Sequence, residues 1–119
     1  MIRTKNGPSP WVLVFLLALG VGSLSAHAPK AVNLAYTHDT ATLKVTITHP
    51  VKNPEKHFVD RIRVFVNKDQ VAEKTYDKQE SSTTHSETFT LSGIQPGDTI
   101  MVKVSCNKFG GKRATLTVT

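Results

Sequence analysis

Three histidines and the single cysteine carry the chemistry in this 119-residue sequence: His27, His49, His57 and Cys106. Imidazole nitrogens combined with one thiolate sulfur make a donor set that suits iron, copper or zinc. The four lie far apart along the chain, so they form a site only if the fold gathers them. The stretch His49-Pro50-Val51-Lys52-Asn53-Pro54-Glu55-Lys56-His57 is central to that question. It has an imidazole at each end and two prolines between. Proline fixes φ and lacks a backbone donor, so a strand cannot run through this segment. Each residue has a plainer reading by itself. His49 and His57 would cap strands at a loop, Cys106 would be a small buried hydrophobe, and His27 would belong to a frayed terminus. Their joint placement is what points to a metal.

The elements that must position these residues read as strands. Helix signals are absent, and short alternating runs recur at 31–36, 42–48, 58–66, 70–76, 86–91, 99–106 and 113–119. Leu43, Val45 and Ile47 share one face, and His49 continues that inward phase. Ile62, Val64 and Val66 share a face, as do Ile100, Val102, Val104 and Cys106. Asn67-Lys68-Asp69 and Gln95-Pro96-Gly97-Asp98 are turn sequences. The polar stretch 77–85 reads as a loop. Seven short strands with regular turn punctuation predict an all-β, immunoglobulin-like antiparallel β-sandwich. There are no internal repeats and no second domain.

Strand direction then places the candidates. If successive strands alternate in direction, loop 49–57 and loop 77–85 share one end of the sandwich. His27 begins the first strand at that end, and Cys106 finishes the sixth there. His85 falls at the same end, and His38 in a turn at the opposite one.

The first 26 residues have the order of a secretory signal peptide: a polar start with Arg3 and Lys5, an apolar run from Trp11 to Leu19, then small residues ending at Ala26. The apolar run is shorter than the ~20 residues a membrane span needs. The expected division is 1–26 as signal peptide and 27–119 as one exported domain, periplasmic or secreted, with no membrane attachment after cleavage. Arg3 and Lys5 are the charges lost, so the chain's +6 falls to +4. That basicity is spread over alternate strand positions. It lacks the clustered stripe with interleaved aromatics that nucleic-acid binding requires. Glycine-rich phosphate loops are absent, and no substrate-binding motif accompanies a Cys106–histidine pair. A lone cysteine in an exported protein cannot form an internal disulfide. Coordination of its thiolate would keep it reduced.

His27-Ala28-Pro29, His49-Pro50, Glu55-Lys56-His57-Phe58-Val59 and Cys106-Asn107-Lys108-Phe109-Gly110 together resemble the iron-binding domain of the superoxide reductase family (desulfoferrodoxin and neelaredoxin). The resemblance runs over nearly all of 27–119 and implies an immunoglobulin-like fold. It implies a non-haem iron with His27, His49 and His57 as planar ligands and the Cys106 thiolate as the axial one. It further implies one-electron reduction of superoxide to peroxide, with superoxide and an electron donor as partners. The thiolate would tune the iron much as an axial thiolate tunes haem.

This chain departs from the family pattern in three places. Phe109 stands where the family has its last histidine. The interval from His49 to His57 is longer than usual. Ser25 and Ala26 replace the Glu-Lys that commonly precedes the first histidine. His85, or a new amino terminus at His27, is a candidate for the missing donor. Two other readings follow from the same residues. One is a copper or other metal carrier on this scaffold. The other is a metal-free interaction module in which Phe109 fills the vacated position with hydrocarbon.

Overall fold

A computed structural model describes residues 27–119 as seven strands in two sheets. The expected signal peptide, 1–26, lies outside the described residues. The strands are β1 (Ala31–Thr37), β2 (Thr42–Thr48), β3 (Val59–Val66), β4 (Asp69–Thr75), β5 (Thr84–Thr90), β6 (Thr99–Cys106) and β7 (Gly111–Thr117). One sheet has the order β1-β2-β5 and the other β4-β3-β6-β7, with every pairing antiparallel. This is the expected all-β, immunoglobulin-like sandwich, with the fourth strand on the larger sheet. No helix among the described residues is long and apolar enough to cross a membrane.

The core is the set of inward positions of the two sheets. Leu43, Val45 and Ile47 from β2 face Val59, Ile62 and Val64 from β3 and Ile100, Val102 and Val104 from β6, all buried. Fully burying such a side chain contributes roughly 1.5–3 kcal/mol. Strict alternation fails at the start of β3. Register shifts between Val59 and Arg61 opposite β6, so Val59 and Ile62 both point inward although three positions separate them. The irregularity lies beside Cys106, the partner of Val59. Bulges of this kind bend a strand and re-aim its side chains.

The turns follow local chemistry. Asn67 and Lys68 both take positive φ, 49° and 77°, forming the two-residue hairpin link whose twist matches its strands. Asp69 already belongs to β4. Pro96 and Gly97 occupy the centre of a turn closed by the Asp98 amide donating to the Gln95 carbonyl at 3.0 Å, with Gly97 at φ 94°. Several edges differ from the sequence expectation by one or two residues. β5 starts at Thr84 and not at Ser86, and β7 starts at Gly111 and not at Arg113.

Candidate metal centre

His49 lies one residue past β2 and keeps the inward phase of Leu43, Val45 and Ile47. It is fully buried, at 0% exposure. Its amide donates to the Thr83 carbonyl (2.9 Å), and the Val51 amide donates to Ser82 (2.8 Å). The chain therefore stays pinned to the sheet up to and beyond Pro50. A buried imidazole must have its polar atoms satisfied. Here Nδ1 lies 2.7 Å from Oε1 of Gln79, and Nε2 lies 3.3 Å from the His27 carbonyl oxygen.

His57 sits at the far end of the proline loop. Asn53 sets the turn before it: its side-chain oxygen accepts from the Glu55 amide (2.9 Å), and its carbonyl accepts from the Lys56 and His57 amides (3.0 and 2.9 Å). Asn107 then clips this loop to the end of β6. Its side-chain oxygen accepts from the Phe58 amide at 2.8 Å, its Nδ2 donates to the Lys56 carbonyl at 3.0 Å, and its amide donates to the Phe58 carbonyl at 3.0 Å. The result brings His57 Nε2 within 3.1 Å of Cys106 Sγ. The sulfur also accepts from the Lys108 amide at 3.4 Å. A donor aimed at a ligand sulfur tunes its electron donation.

His49, His57 and Cys106 each offer one ligand atom, and those atoms lie within 4.8 Å of one another. His27 borders this triad, with its ring 5.6 Å from the His49 ring and 5.7 Å from the His57 ring, centroid to centroid. Its Nδ1 lies 3.1 Å from the Ala28 carbonyl oxygen. Gly110 lets this N-terminal segment approach closely. At φ 70° it takes a conformation that favours glycine, and a Cβ there would stand 3.2 Å from the Ala28 Cβ. Burial lowers the pKa of His57, and the neighbouring His49, His27 and Lys108 lower it further against a backbone hydrogen bond with His27. A neutral imidazole is the form that binds metal.

Beside the triad a cleft of about 510 Å³ is lined by His27, His57, Pro50 and three lysines, Lys52, Lys56 and Lys108. Their positive charge favours a small anion there.

All four expected site residues thus gather at one end of the sandwich. Two expectations fail. His85 is not a loop residue and does not join the cluster. It is the second residue of β5, buried, with its ring T-shaped against Tyr76 at 4.3 Å and its Nδ1 accepting from the Glu80 amide at 3.1 Å. Phe109 does not fill the vacated ligand position, because it is 61% exposed. Gln79 was not a candidate from sequence. It lies in a polar stretch with no periodicity, and only its contacts reveal it.

Fold and site together define a small all-β sandwich with a histidine–cysteine cluster of metal-ligand type at one end. No family model and no curated protein matches the sequence. Among solved structures the chain is similar to a superoxide reductase (neelaredoxin) from Ignicoccus hospitalis. Identity is 14%, over 83% of this chain and 86% of that one, with a TM-score of 0.49. At this distance the cluster itself, and not the superposition, must carry a functional reading.

Proposed function

We propose that this protein is an exported metalloprotein of the superoxide reductase type. His49, His57 and Cys106 would hold one metal ion, with His27 beside them on the N-terminal segment. The observation that carries the reading is the convergence of three ligand atoms within 4.8 Å from three separate segments of the chain. A mixed imidazole and thiolate set fits iron, copper or zinc. Bound iron would supply the one-electron chemistry that takes superoxide, with two protons, to hydrogen peroxide, the electron coming from an external donor.

The chain's own residues do the rest. Lys52, Lys56 and Lys108 draw a small anion into the cleft bordered by His27 and His57. The proline loop and the Asn107 clip hold His57 against the sulfur. The Lys108 amide moderates the sulfur.

One observation favours a second reading, copper carriage. With Phe109 turned outward, the protein offers at most three imidazoles and one sulfur. Two histidines and a cysteine in a triangle are a copper-binding arrangement. Metal content of anaerobically purified protein tests both readings. Stoichiometric iron with a thiolate-to-metal absorption band supports the first, and copper the second. Protein that stays metal-free under reducing, metal-replete conditions contradicts both and leaves a sandwich that serves as an interaction module.

A further inference from the structure

We infer that Gln79 is a positioning residue that fixes which nitrogen of His49 carries the proton, so that Nε2 is the one offered to a metal. The metal half of this statement rests on the function proposed above, and the tautomer half does not.

Gln79 is 4% exposed and uses its whole amide. Oε1 accepts from the Val59 backbone amide at 3.1 Å. Nε2 donates to the His49 carbonyl at 2.8 Å and to the Ser81 carbonyl at 2.9 Å. Those backbone partners have no freedom: an amide N–H can only donate and a carbonyl can only accept. They therefore fix which end of the Gln79 side chain is oxygen. That oxygen lies 2.7 Å from His49 Nδ1. An amide oxygen carries no hydrogen and can only accept, so Nδ1 must carry one. A neutral imidazole has one such hydrogen, and Nε2 is left bare.

The bare nitrogen lies 3.3 Å from the His27 carbonyl oxygen. Two acceptors facing each other at that distance repel, and a metal ion bound at Nε2 would relieve that repulsion. Nδ1 keeps its hydrogen with and without the metal. Unconstrained histidine prefers the opposite tautomer, so this arrangement is imposed by the protein. The Gln79 amide also donates to the Pro54 carbonyl at 2.9 Å, tying the same residue to the proline loop that carries His57.

The test is a proton–nitrogen correlation spectrum of the metal-free, reduced protein labelled at histidine, recorded at pH 8, together with titration by Zn²⁺. In wild type, His49 Nδ1 is expected to appear as a protonated nitrogen. Gln79→Met, which keeps the volume but removes the acceptor, is expected to move the proton to Nε2 and weaken Zn²⁺ binding about 10–100-fold, the usual range for losing a group that orients a ligand. Gln79→Glu, which keeps an acceptor, is expected to keep Nδ1 protonated.

An unprotonated Nδ1 in wild type overturns the inference, and that result needs no variant to fold. So does a folded Gln79→Met protein whose Nδ1 stays protonated, since Gln79 would then be structural only. If the spectra behave as expected but wild type binds no metal, the tautomer assignment is upheld and the proposed function fails.

Discussion

Cys106 and Phe109 are three positions apart and have opposite surroundings. Cys106 is 8% exposed, with its sulfur against His57 and the Lys108 amide. Phe109 stands 61% exposed at the rim. Cys106→Ala should leave the β-sheet circular dichroism unchanged and abolish the sulfur-to-metal absorption band. A band that survives would show that the sulfur is not a ligand. Phe109→His removes no core contact, so its stability should stay within about 0.5 kcal/mol of wild type. Because position 109 faces outward, iron affinity should stay at the wild-type level. A raised affinity would show that the 107–111 turn can bring that position to the cluster. Sequence spoke clearly for His49, because its inward phase continues an alternating strand, and for Cys106 for the same reason. It was silent on Gln79. A glutamine among serine, threonine and charged residues looks solvated until its partners, from segments 30 and 20 positions away, are in view.

Strands β2, β3 and β6 were legible because period-two alternation signals a sheet with one buried face. The bulge between Val59 and Arg61 was not, since it comes from the pairing with β6 and leaves no local pattern. β5 was expected two residues late because Thr84 and His85 look like loop. The pairing of Thr48 with Thr84 and Ile47 with His85 extends the strand over them. The 107–111 turn is the element that most directly couples backbone conformation to the site. Gly110 at φ 70° approaches Ala28, and Gly111 has no room for a Cβ beside the Val104 carbonyl. Gly110→Ala should cost about 1 kcal/mol from the left-handed conformation and push Ala28 outward, carrying His27 with it. Thermal unfolding together with Zn²⁺ titration would show both effects. A loss of stability with unchanged metal affinity would show that His27 contributes nothing to binding.

Across the whole molecule the two sheets also meet through a second polar network, beside the one that holds His49. Tyr76 Oη donates to Glu87 at 2.8 Å, Lys74 pairs with the same carboxylate at 3.1 Å, and His85 packs on the Tyr76 ring. Burial lowers the His85 pKa below its ordinary 6.5, against the pull of Glu80 and Glu87. Burial pushes the Glu87 carboxyl up, but hydrogen bonds from Tyr76, Lys74 and the Thr88 amide bring it below its ordinary 4.5. In both cases the unfolded chain binds a proton more readily than the folded one, so stability falls as pH falls. The His85 part is fully present above pH 6.5 and is lost below it. The Glu87 part is present above pH 4.5 and is lost as pH drops through the folded value. The melting temperature of the metal-free protein should therefore be flat from neutrality up to the approach of the ordinary tyrosine value of 10.0, above which the half-buried Tyr76 makes folding less favourable, and it should decline in two stages in acid. His85→Gln should remove part of the first stage and leave the second. A wild-type melting temperature that holds steady down to pH 5 would contradict this.

The convergence of His49, His57 and Cys106 on one ion is tested most directly by X-ray absorption at the metal edge of the Zn²⁺-loaded protein. One sulfur at ~2.3 Å and two or three imidazole nitrogens at ~2.0–2.1 Å are expected. A first shell of nitrogen and oxygen without sulfur, or failure to retain one zinc per chain, would contradict the metal centre.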